Sequence, residues 1–319
     1  MSNLSLTEKL KLLKNTSGYS IIFDQKKVIK NSFFSSGSLI IDRLTGINGY
    51  PIKGIIEIFG QPSTGKTTLA LHAISEFQKL NQKKTIFFDL ERTLNFEYAQ
   101  KIGVNIDNLI ILNPKNAEET FDLIIDFLKT KEVCLIVLDS VAALLPETEE
   151  NNSMSDNTIG LQARIMSKAL RKINYLLSET NSSIIFINQI REKINTFFSN
   201  PEITTGGNAL KFYSSLRIQL RHKGKIVIKN ENKGINVGVK IIKNKRAKPF
   251  EQGIISIFFN KGINKMQEIL ELAVFQKIVL QKGAWYFFKD VKLGIGREKA
   301  LEFLLQNPKI LEKIKTTIK

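Results

Sequence analysis

Short apolar runs alternate with amphipathic stretches through the middle of the chain. The runs are four to seven residues long and rich in Ile, Val, Leu and Phe, which is typical of buried strands. They lie at residues 55–59, 84–90, 109–112, 133–138 and 183–187. Apolar residues recur at helical spacing between them, at residues 68–74, 95–101, 117–129 and 160–180. This alternation predicts an α/β fold with a mostly parallel sheet covered by helices.

The pattern differs at both ends of this region. Residues 4–13 have Leu at helical spacing and residues 18–23 resemble a strand, so residues 1–32 are predicted to form a helix–strand arm. The residues alone favour packing of this arm on its own subunit, with a neighbouring subunit as the alternative. Residues 35–42 and 49–54 are predicted as turn-rich segments. After Leu216 we expect antiparallel segments at residues 217–222, 226–229, 237–242 and 254–259 that extend the sheet.

The first apolar run leads into a loop bounded by two glycines, and a helical pattern follows. Glycines at this spacing let successive backbone N–H groups point toward one anion, and the N-terminus of the helix adds positive potential. We expect the Lys66 ammonium to reach the β- and γ-phosphates of a nucleotide and the Thr67 hydroxyl to bind Mg²⁺. Kinases, GTPases, transporters, helicases and recombinases share this motif. The predicted nucleotide-binding residues are Gly60, Gln61, Pro62, Ser63, Thr64, Gly65, Lys66, Thr67 and Thr68.

Polar residues that follow other predicted strands complete a candidate site. Asp139 ends one apolar run and is predicted to hold Mg²⁺, with a turn cap as the alternative. Glu91 ends another strand and is a candidate base that orients water, or else a solvated surface residue. Gln189 follows a third strand and could sense the γ-phosphate through its amide. Ligands in open α/β sheets bind at this edge, where the carboxyl ends of the strands meet.

Two predicted loops flank a basic helical face. The loops span residues 146–159 and 190–208, and loops of this length in a compact core are usually functional. Arg164, Lys168 and Arg171 recur at i, i+4 and i+7 on the helix predicted at residues 160–180. Together they form a plausible groove for a nucleic-acid backbone, with Phe198 available for stacking on bases. An ordinary amphipathic surface helix is an equal alternative.

The charge agrees with a polyanionic partner without proving one. The 319 residues include 47 Lys and Arg against 30 Asp and Glu, a formal charge of +17. Such a balance favours nucleic-acid binding, although many lysines could simply solvate the surface. No apolar run is long enough to span a bilayer, and the first residues lack the apolar stretch of a secretory signal, so we expect a cytoplasmic protein without a membrane partner.

Several short motifs, taken in order, resemble the bacterial RecA recombinase family over nearly the whole chain. Besides the phosphate loop, they are EIFG at 57–60, LDSVAAL at 138–144, FINQIR at 186–191, TTGGNALKFY at 204–213, KNK at 243–245, PF at 249–250 and GAWY at 283–286. The resemblance implies a RecA-like ATPase core at residues 33–261. It also implies a small α+β C-terminal domain at residues 262–319 that receives duplex DNA.

The resemblance also implies roles for individual residues. Glu91 is the general base and Gln189 the γ-phosphate switch, while Tyr98 stacks on adenine. Lys243 and Lys245 reach the neighbour's ATP, and Phe212 couples adjacent subunits. The family usually has Asp where Asn95 stands, and we expect the Asn95 carbonyl to accept the same hydrogen bond from adenine. The two loops bind DNA, and the implied DNA-binding residues are Arg164, Lys168, Arg171, Arg191, Phe198, Thr205, Gly206, Gly207 and Asn208.

The expected function is an ATP- and Mg²⁺-dependent recombinase that forms helical filaments on single-stranded DNA and exchanges strands with double-stranded DNA. In such a filament the N-terminal arm docks on the adjacent protomer, which reverses the preference drawn from the residues alone. A self-cleaving repressor is a further possible partner. The alternative is a ring-forming RecA-fold helicase. A GTPase is disfavoured because residues 244–247, Asn-Lys-Arg-Ala, lack the Asp that would recognise guanine.

Overall fold

One large mixed sheet passes through the centre of the protein. The computed structural model describes residues 33–81, 84–132, 135–151, 160–192 and 202–318. Its first twelve strands are β1 (Phe33–Phe34), β2 (Tyr50–Pro51), β3 (Ile55–Gly60), β4 (Thr85–Asp89), β5 (Leu109–Leu112), β6 (Leu135–Asp139), β7 (Ser183–Glu192), β8 (Glu202–Thr204), β9 (Leu216–Ile228), β10 (Glu231–Asn244), β11 (Gln252–Phe258) and β12 (Gly262–Ile263). Strands β1 and β2 pair with each other in a separate small sheet.

The strand order of the large sheet is β12-β11-β10-β9-β3-β7-β6-β4-β5, with β8 paired to β7. Strands β9, β3, β7, β6, β4 and β5 run parallel to one another, whereas β10, β11 and β12 extend the sheet in antiparallel fashion. The predicted fold class is therefore confirmed. The parallel strands bring their carboxyl ends to one edge, where Gly60 is opposite Gln189 and Asp89 is opposite Asp139.

Helices cover both faces of the parallel part. Helix α1 packs against β11. The helices of this part are α1 (Leu39–Leu44), α2 (Lys66–Asn81), α3 (Phe96–Ile102), α4 (Ala117–Thr130), α5 (Glu147–Asn151), α6 (Leu161–Glu179) and α7 (Ala209–Tyr213). Helices α2 and α3 contribute to the hydrophobic cluster on one face, and α4, α6 and α7 to the cluster on the other. The apolar stripes predicted for α4 and α6 are buried as expected, at Phe121, Ile124, Ile125, Leu128, Met166, Leu170, Ile173 and Leu177.

Several predicted segments differ from the structure. Residues 35–42 were expected to form a turn, but Ser38 caps the first turn of α1 with its side chain. The predicted strands at 217–222 and 226–229 are parts of the single strand β9. Strand β7 continues to Glu192, so Gln189 and Arg191 lie within a strand. Two parts of the predicted loop at 190–208, residues 190–192 and 202–204, pair with each other as β7 and β8. The predicted loop at 146–159 begins with helix α5.

The C-terminal segment has a hydrophobic cluster of its own. It contains α8 (Lys265–Phe275), β13 (Leu280–Lys282), β14 (Trp285–Phe288), β15 (Val291–Ile295), α9 (Gly296–Gln306) and α10 (Pro308–Thr317). The three strands form an antiparallel sheet, and α8, α9 and α10 contribute to the cluster. The predicted boundary at residue 262 falls on β12, which still pairs with β11 of the large sheet.

Buried and charged side chains on α8 tie this C-terminal segment to the rest of the described protein. The buried Glu268 on α8 accepts hydrogen bonds from Ser38 Oγ at 2.6 Å and from the Leu39 backbone N–H at 2.7 Å. Lys265 forms an ion pair with Glu76 on α2, with 2.5 Å between Nζ and Oε1. Parts of other predictions lie outside the described residues, namely the arm at 1–32, residues 152–159 and residues 193–201, which include Phe198.

Candidate functional site

A cavity of about 360 Å³ opens at the edge where the parallel strands end. The phosphate loop between β3 and α2 forms its floor, and its wall includes Glu91 just after β4, Asp139 at the end of β6 and Gln189 within β7. The lining residues are Pro62, Ser63, Thr64, Gly65, Lys66, Thr67, Thr68, Glu91, Tyr98, Asp139, Gln189, Ile235, Ile257 and Phe259. The structure therefore brings together most of the nucleotide-site residues predicted from sequence.

The phosphate loop has the conformation that its glycines and polar residues allow. Gly65 has a φ of 81°, in the left-handed region that glycine adopts without strain, and helix α2 begins at the next residue. Lys66 Nζ donates hydrogen bonds to the carbonyls of Gln61 at 2.8 Å and Gly60 at 3.2 Å. Burial lowers the pKa of Lys66, while the carboxylates of Asp139 and Glu91 act in the opposite direction. These carbonyls hold the ammonium over the loop.

Thr67 and Asp139 form the candidate metal position. The Thr67 hydroxyl donates a hydrogen bond to Asp139 Oδ2 at 2.6 Å. The pKa of Asp139 is raised to about 6, mainly by burial; the hydrogen bond from Thr67 opposes this shift and the nearby Glu91 carboxylate adds to it. A buried carboxylate with few donors around it gains most from a cation. The geometry therefore pairs the two residues that were predicted separately as metal ligands.

Glu91 and Gln189 are in direct contact beside this position. Gln189 Nε2 donates a hydrogen bond to Glu91 Oε1 at 3.1 Å. The hydroxyl of Ser140, the residue after Asp139, donates to the same carboxylate oxygen. Glu91 itself is exposed at the cavity rim, as a residue that orients a water molecule must be. The side-chain amide of Gln189 thus links one strand end to another across the cavity.

One end of the cavity is apolar and was only partly predicted. The Tyr98 hydroxyl lies 3.1 Å from Thr68 Oγ1, and Ile235, Ile257 and Phe259 complete the wall. Phe259 follows β11 and is 48% exposed, so an aromatic face is open to a ligand. The sequence analysis missed these three residues, which come from antiparallel strands far along the chain. The only available signal was an aromatic residue directly after a predicted strand.

Asn95 is the N-cap residue of α3. Its side chain caps α3, because Asn95 Oδ1 accepts a hydrogen bond from the Tyr98 backbone N–H at 2.8 Å. Asn95 is exposed and does not line the cavity. The cap fixes the first turn of the helix that carries Tyr98, so its direct effect is on the position of that ring.

Lys243 and Lys245 lie away from the cavity of their own protomer. Lys243 Nζ donates hydrogen bonds to the carbonyls of Lys211 at 2.6 Å and Phe212 at 2.8 Å, and Lys245 Nζ lies 3.4 Å from the carbonyl of Tyr213. Both cations therefore sit at the C-terminal end of α7, where the helix dipole favours them. Burial lowers the pKa of Lys243, and Lys245 and Arg217 lower it further. The Phe212 side chain is 73% exposed on the same helix.

Most of the predicted DNA-binding residues that the structure describes lie on or beside helix α6. Arg164, Lys168 and Arg171 are exposed on α6 and line an open groove together with Lys172. Gly206 and Gly207, with φ of 79° and 77°, pass so close to α6 that a side-chain Cβ on Gly207 would lie 2.8 Å from the Cβ of Ala163. Thr205 and Asn208 flank this turn, and Arg191 is exposed on β7. The turn and the basic face are thus adjacent.

A helix that spans a membrane needs both sufficient length and apolar character. Within the ranges given above, none of the helices combines the length and the apolar character needed to cross a bilayer.

Comparison with known proteins agrees with this architecture. The RecA N-terminal domain matches residues 5–264 and the RecA C-terminal domain matches residues 267–319. A protein named Protein RecA from Mesoplasma florum is 46% identical over 320 residues, covering 99% of this chain and 96% of the relative. Proteins of the same name from Mycoplasma mycoides and Halalkalibacterium halodurans are 45% and 44% identical; each match covers 90% of this chain, and 83% and 82% of the relative.

These comparisons give no support to a ring-forming helicase. The matches extend over the phosphate loop, the β7–β8 region and the C-terminal segment, and are not confined to the nucleotide-binding motif that many ATPases share. The chain therefore belongs to the RecA family, the DNA-dependent ATPases that carry out homologous recombination.

Proposed function

We propose that this chain binds ATP with Mg²⁺ in the cavity at the end of β3, assembles into a helical filament on single-stranded DNA, and exchanges that strand with a homologous duplex. The observation that carries the proposal is the cavity itself. It joins a phosphate loop, a buried carboxylate, a rim carboxylate and an aromatic wall in one place. Repressor self-cleavage stimulated by the filament is a further part of the proposal.

The residues present fit a nucleotide and a magnesium ion. Among the described residues, no group of three or more His, Cys, Asp and Glu side chains is placed to hold a metal alone. Thr67 and Asp139 supply two oxygen donors, and Mg²⁺ in phosphate sites is typically held by one or two protein groups together with phosphate and water. When bound, the ion neutralises charge that develops on the phosphates. Lys66 would leave the Gln61 and Gly60 carbonyls to contact the β- and γ-phosphates.

Glu91 and Gln189 would act at the γ-phosphate. The Glu91 carboxylate accepts a proton from the attacking water and orients it toward phosphorus. Gln189 now bonds to Glu91, and its amide has the donor and acceptor needed to respond to the γ-phosphate instead. At the other end, Tyr98 and Phe259 would hold the base between aromatic faces.

Neighbouring protomers would complete the nucleotide site. Lys243 and Lys245 lie outside their own cavity, at the C-terminal end of α7, which also carries the exposed Phe212. These two lysines would contact the phosphates of a nucleotide bound by the next protomer, in the manner of an arginine finger. A contact between unlike surfaces that does not close into a ring generates a helical filament.

The basic face of α6 and the Gly206-Gly207 turn would track the DNA backbone. Their charges and backbone N–H groups carry no sequence information, so base pairing between strands supplies the specificity. The C-terminal segment offers a second surface for the duplex. Lys292 lies over the ring of Trp285 with 5.3 Å from Nζ to the ring centroid, and Lys282 lies near Phe287.

Electron microscopy of the protein with single-stranded DNA and a slowly hydrolysed ATP analogue tests this proposal. We expect regular helical filaments with the analogue and few or none without nucleotide. A Lys66→Ala variant should lose the nucleotide-dependent filaments, because the loop loses its only cation. A Lys79→Ala variant, which changes a lysine at the other end of the same helix, is the control and should form filaments normally. Filaments of normal stability from Lys66→Ala would refute the site.

A further inference from the structure

A buried carboxylate outside the cavity links two of the elements described above. Glu57 lies on β3 and is completely buried. Its Oε1 accepts a hydrogen bond from Asn188 Nδ2 on β7 at 3.0 Å, and its Oε2 pairs with the guanidinium of Arg217 on β9. Removing a charge from water is costly unless the charge is paired and hydrogen-bonded, and both carboxylate oxygens are used here.

The charge on Glu57 determines the orientation of the Asn188 amide. A carboxylate only accepts hydrogen bonds, so Asn188 must present its NH₂ group to it. Asn188 Oδ1 consequently faces the other way, where it accepts from Thr205 Oγ1 at 2.5 Å and from the Gln189 backbone N–H at 2.8 Å. The second hydrogen on Asn188 Nδ2 is directed to the Thr205 carbonyl at 3.1 Å. A reversed amide would lose the bonds to Glu57, to the Thr205 carbonyl and from the Gln189 N–H, and only the Thr205 hydroxyl could re-form its bond, by accepting instead of donating.

Asn188 therefore contacts a residue of the nucleotide cavity, Gln189, and a residue next to the proposed DNA-binding turn, Thr205. Gln189 is bonded to Glu91 at the nucleotide cavity, and Thr205 immediately precedes the Gly206-Gly207 turn beside α6. The contacts also extend to the proposed subunit boundary. Arg217 is the register partner of Lys243 on the neighbouring strand β10, and its guanidinium lies 4.7 Å above the ring of Phe59.

We propose that Glu57 is a positioning residue, which fixes Asn188 so that nucleotide binding at Gln189 is transmitted to the DNA-binding turn at Thr205. The inference rests on the proposed function, in which Gln189 responds to nucleotide and the turn contacts DNA. Glu57 touches neither ligand. Its effect is on how strongly DNA stimulates ATP hydrolysis and how strongly nucleotide tightens DNA binding.

A Glu57→Gln variant tests the inference with nearly unchanged volume. The new amide can donate to Asn188 Oδ1, which favours the reversed Asn188 and removes its bonds to the Thr205 carbonyl and the Gln189 backbone N–H. We expect ATP hydrolysis without DNA to stay within about twofold of wild type. Stimulation by single-stranded DNA should fall about tenfold, and so should the tightening of DNA binding by nucleotide, as expected for one lost buried hydrogen bond. Steady-state hydrolysis and fluorescence anisotropy with labelled DNA measure both quantities.

Glu268→Gln is the matched control. It makes the same change at another buried carboxylate, bonded to Ser38 and Leu39 and without a bond to Asn188 or Gln189. We expect wild-type stimulation by DNA from this variant. A comparable loss of stimulation in Glu268→Gln would show that any buried carboxylate has this effect and would overturn the inference.

Thr205→Val supplies a second test that does not depend on the folding of the Glu57 variant. It removes the hydroxyl that Asn188 Oδ1 holds, and nucleotide should then tighten DNA binding about tenfold less than in wild type. Combined with Glu57→Gln it should cause no additional loss, because both changes break one pathway. Additive losses in the double variant, or wild-type coupling between nucleotide and DNA binding in either single variant, would overturn this inference. Neither result would contradict the proposed function. A wild-type protein whose hydrolysis ignores DNA would overturn the proposed function as well.

Discussion

Asp139 should make magnesium-dependent nucleotide binding sensitive to pH. Burial raises the pKa of this carboxyl to about 6 from the ordinary value of 3.8. With that pKa, roughly nine-tenths of the carboxyl is ionised at pH 7 and roughly one-tenth at pH 5. A metal ligand must be deprotonated to bind, so the proton competes with Mg²⁺. The apparent affinity for Mg²⁺ in the presence of ATP should therefore fall about tenfold between pH 7 and pH 5.

The same shift has a consequence for stability. Because the folded state binds the Asp139 proton more tightly than the unfolded state, stability declines as pH rises from about 4 to about 6. A shift of about two pH units corresponds to about 3 kcal/mol for a group this deeply buried. Bound Mg²⁺ offsets this cost, so Mg²⁺ with nucleotide should raise the unfolding temperature more at pH 7 than at pH 5.

The assay is a Mg²⁺ titration of a fluorescent ATP analogue at pH 5, 6 and 7. ATP itself titrates in this range, so the wild type is compared with Asp139→Asn, which keeps the shape and removes the titrating carboxyl. The two proteins share the contribution of the nucleotide, and the ratio of their Mg²⁺ affinities isolates Asp139. The ratio should change about tenfold across the range. A constant ratio would show that Asp139 does not bind the ion, and the metal position would have to be abandoned.

Three other changes have expected outcomes. Glu91→Gln should form filaments with ATP but hydrolyse it about 10²–10⁴-fold more slowly, measured as phosphate release, and normal turnover would remove Glu91 as the base. Phe259→Ala should weaken ATP binding about two- to tenfold in a calorimetric titration, the usual contribution of one aromatic contact, whereas Phe250→Ala outside the cavity should not. Burial raises the pKa of Glu268 to about 7, so wild-type stability should decline between pH 5 and pH 8. Glu268→Gln should remove about 3 kcal/mol of that decline, and parallel stability curves in denaturant would contradict this.

Local patterns predicted the parallel sheet and the phosphate-binding edge well. The phosphate loop, Glu91, Asp139 and Gln189 each follow an apolar run in the sequence, and parallel strands place such residues together regardless of their distance in sequence. The antiparallel strands of the sheet were harder to predict from the sequence. Gly224 interrupts the apolar alternation of β9, so two strands were predicted, whereas the strand continues through a bulge at the neighbouring register shift.

Residues whose partners lie far away in the sequence could not be predicted locally. Phe259 and Tyr98 line the same cavity although 161 positions separate them, because the antiparallel end of the sheet contributes Ile235, Ile257 and Phe259 to the cavity wall. Glu57 sits in an apolar strand, where a lone carboxylate would be costly, and its partner Arg217 is 160 positions later. A charged residue in the middle of a buried strand was the available signal for that pair.

Helix α2 couples the phosphate loop mechanically to the far end of the protein. The helix begins at Lys66, and its sixteen residues correspond to about 24 Å. Farther along, His72 Nε2 accepts the Ile263 backbone N–H at 2.8 Å, and Glu76 forms ion pairs with both Lys79 and Lys265. Helix α2 therefore behaves as a rigid element that is joined at one end to the phosphate loop and along its length to β12 and α8. If α2 tilts at the phosphate loop, the C-terminal segment must move with it, or the His72–Ile263 hydrogen bond and the Glu76–Lys265 ion pair must break.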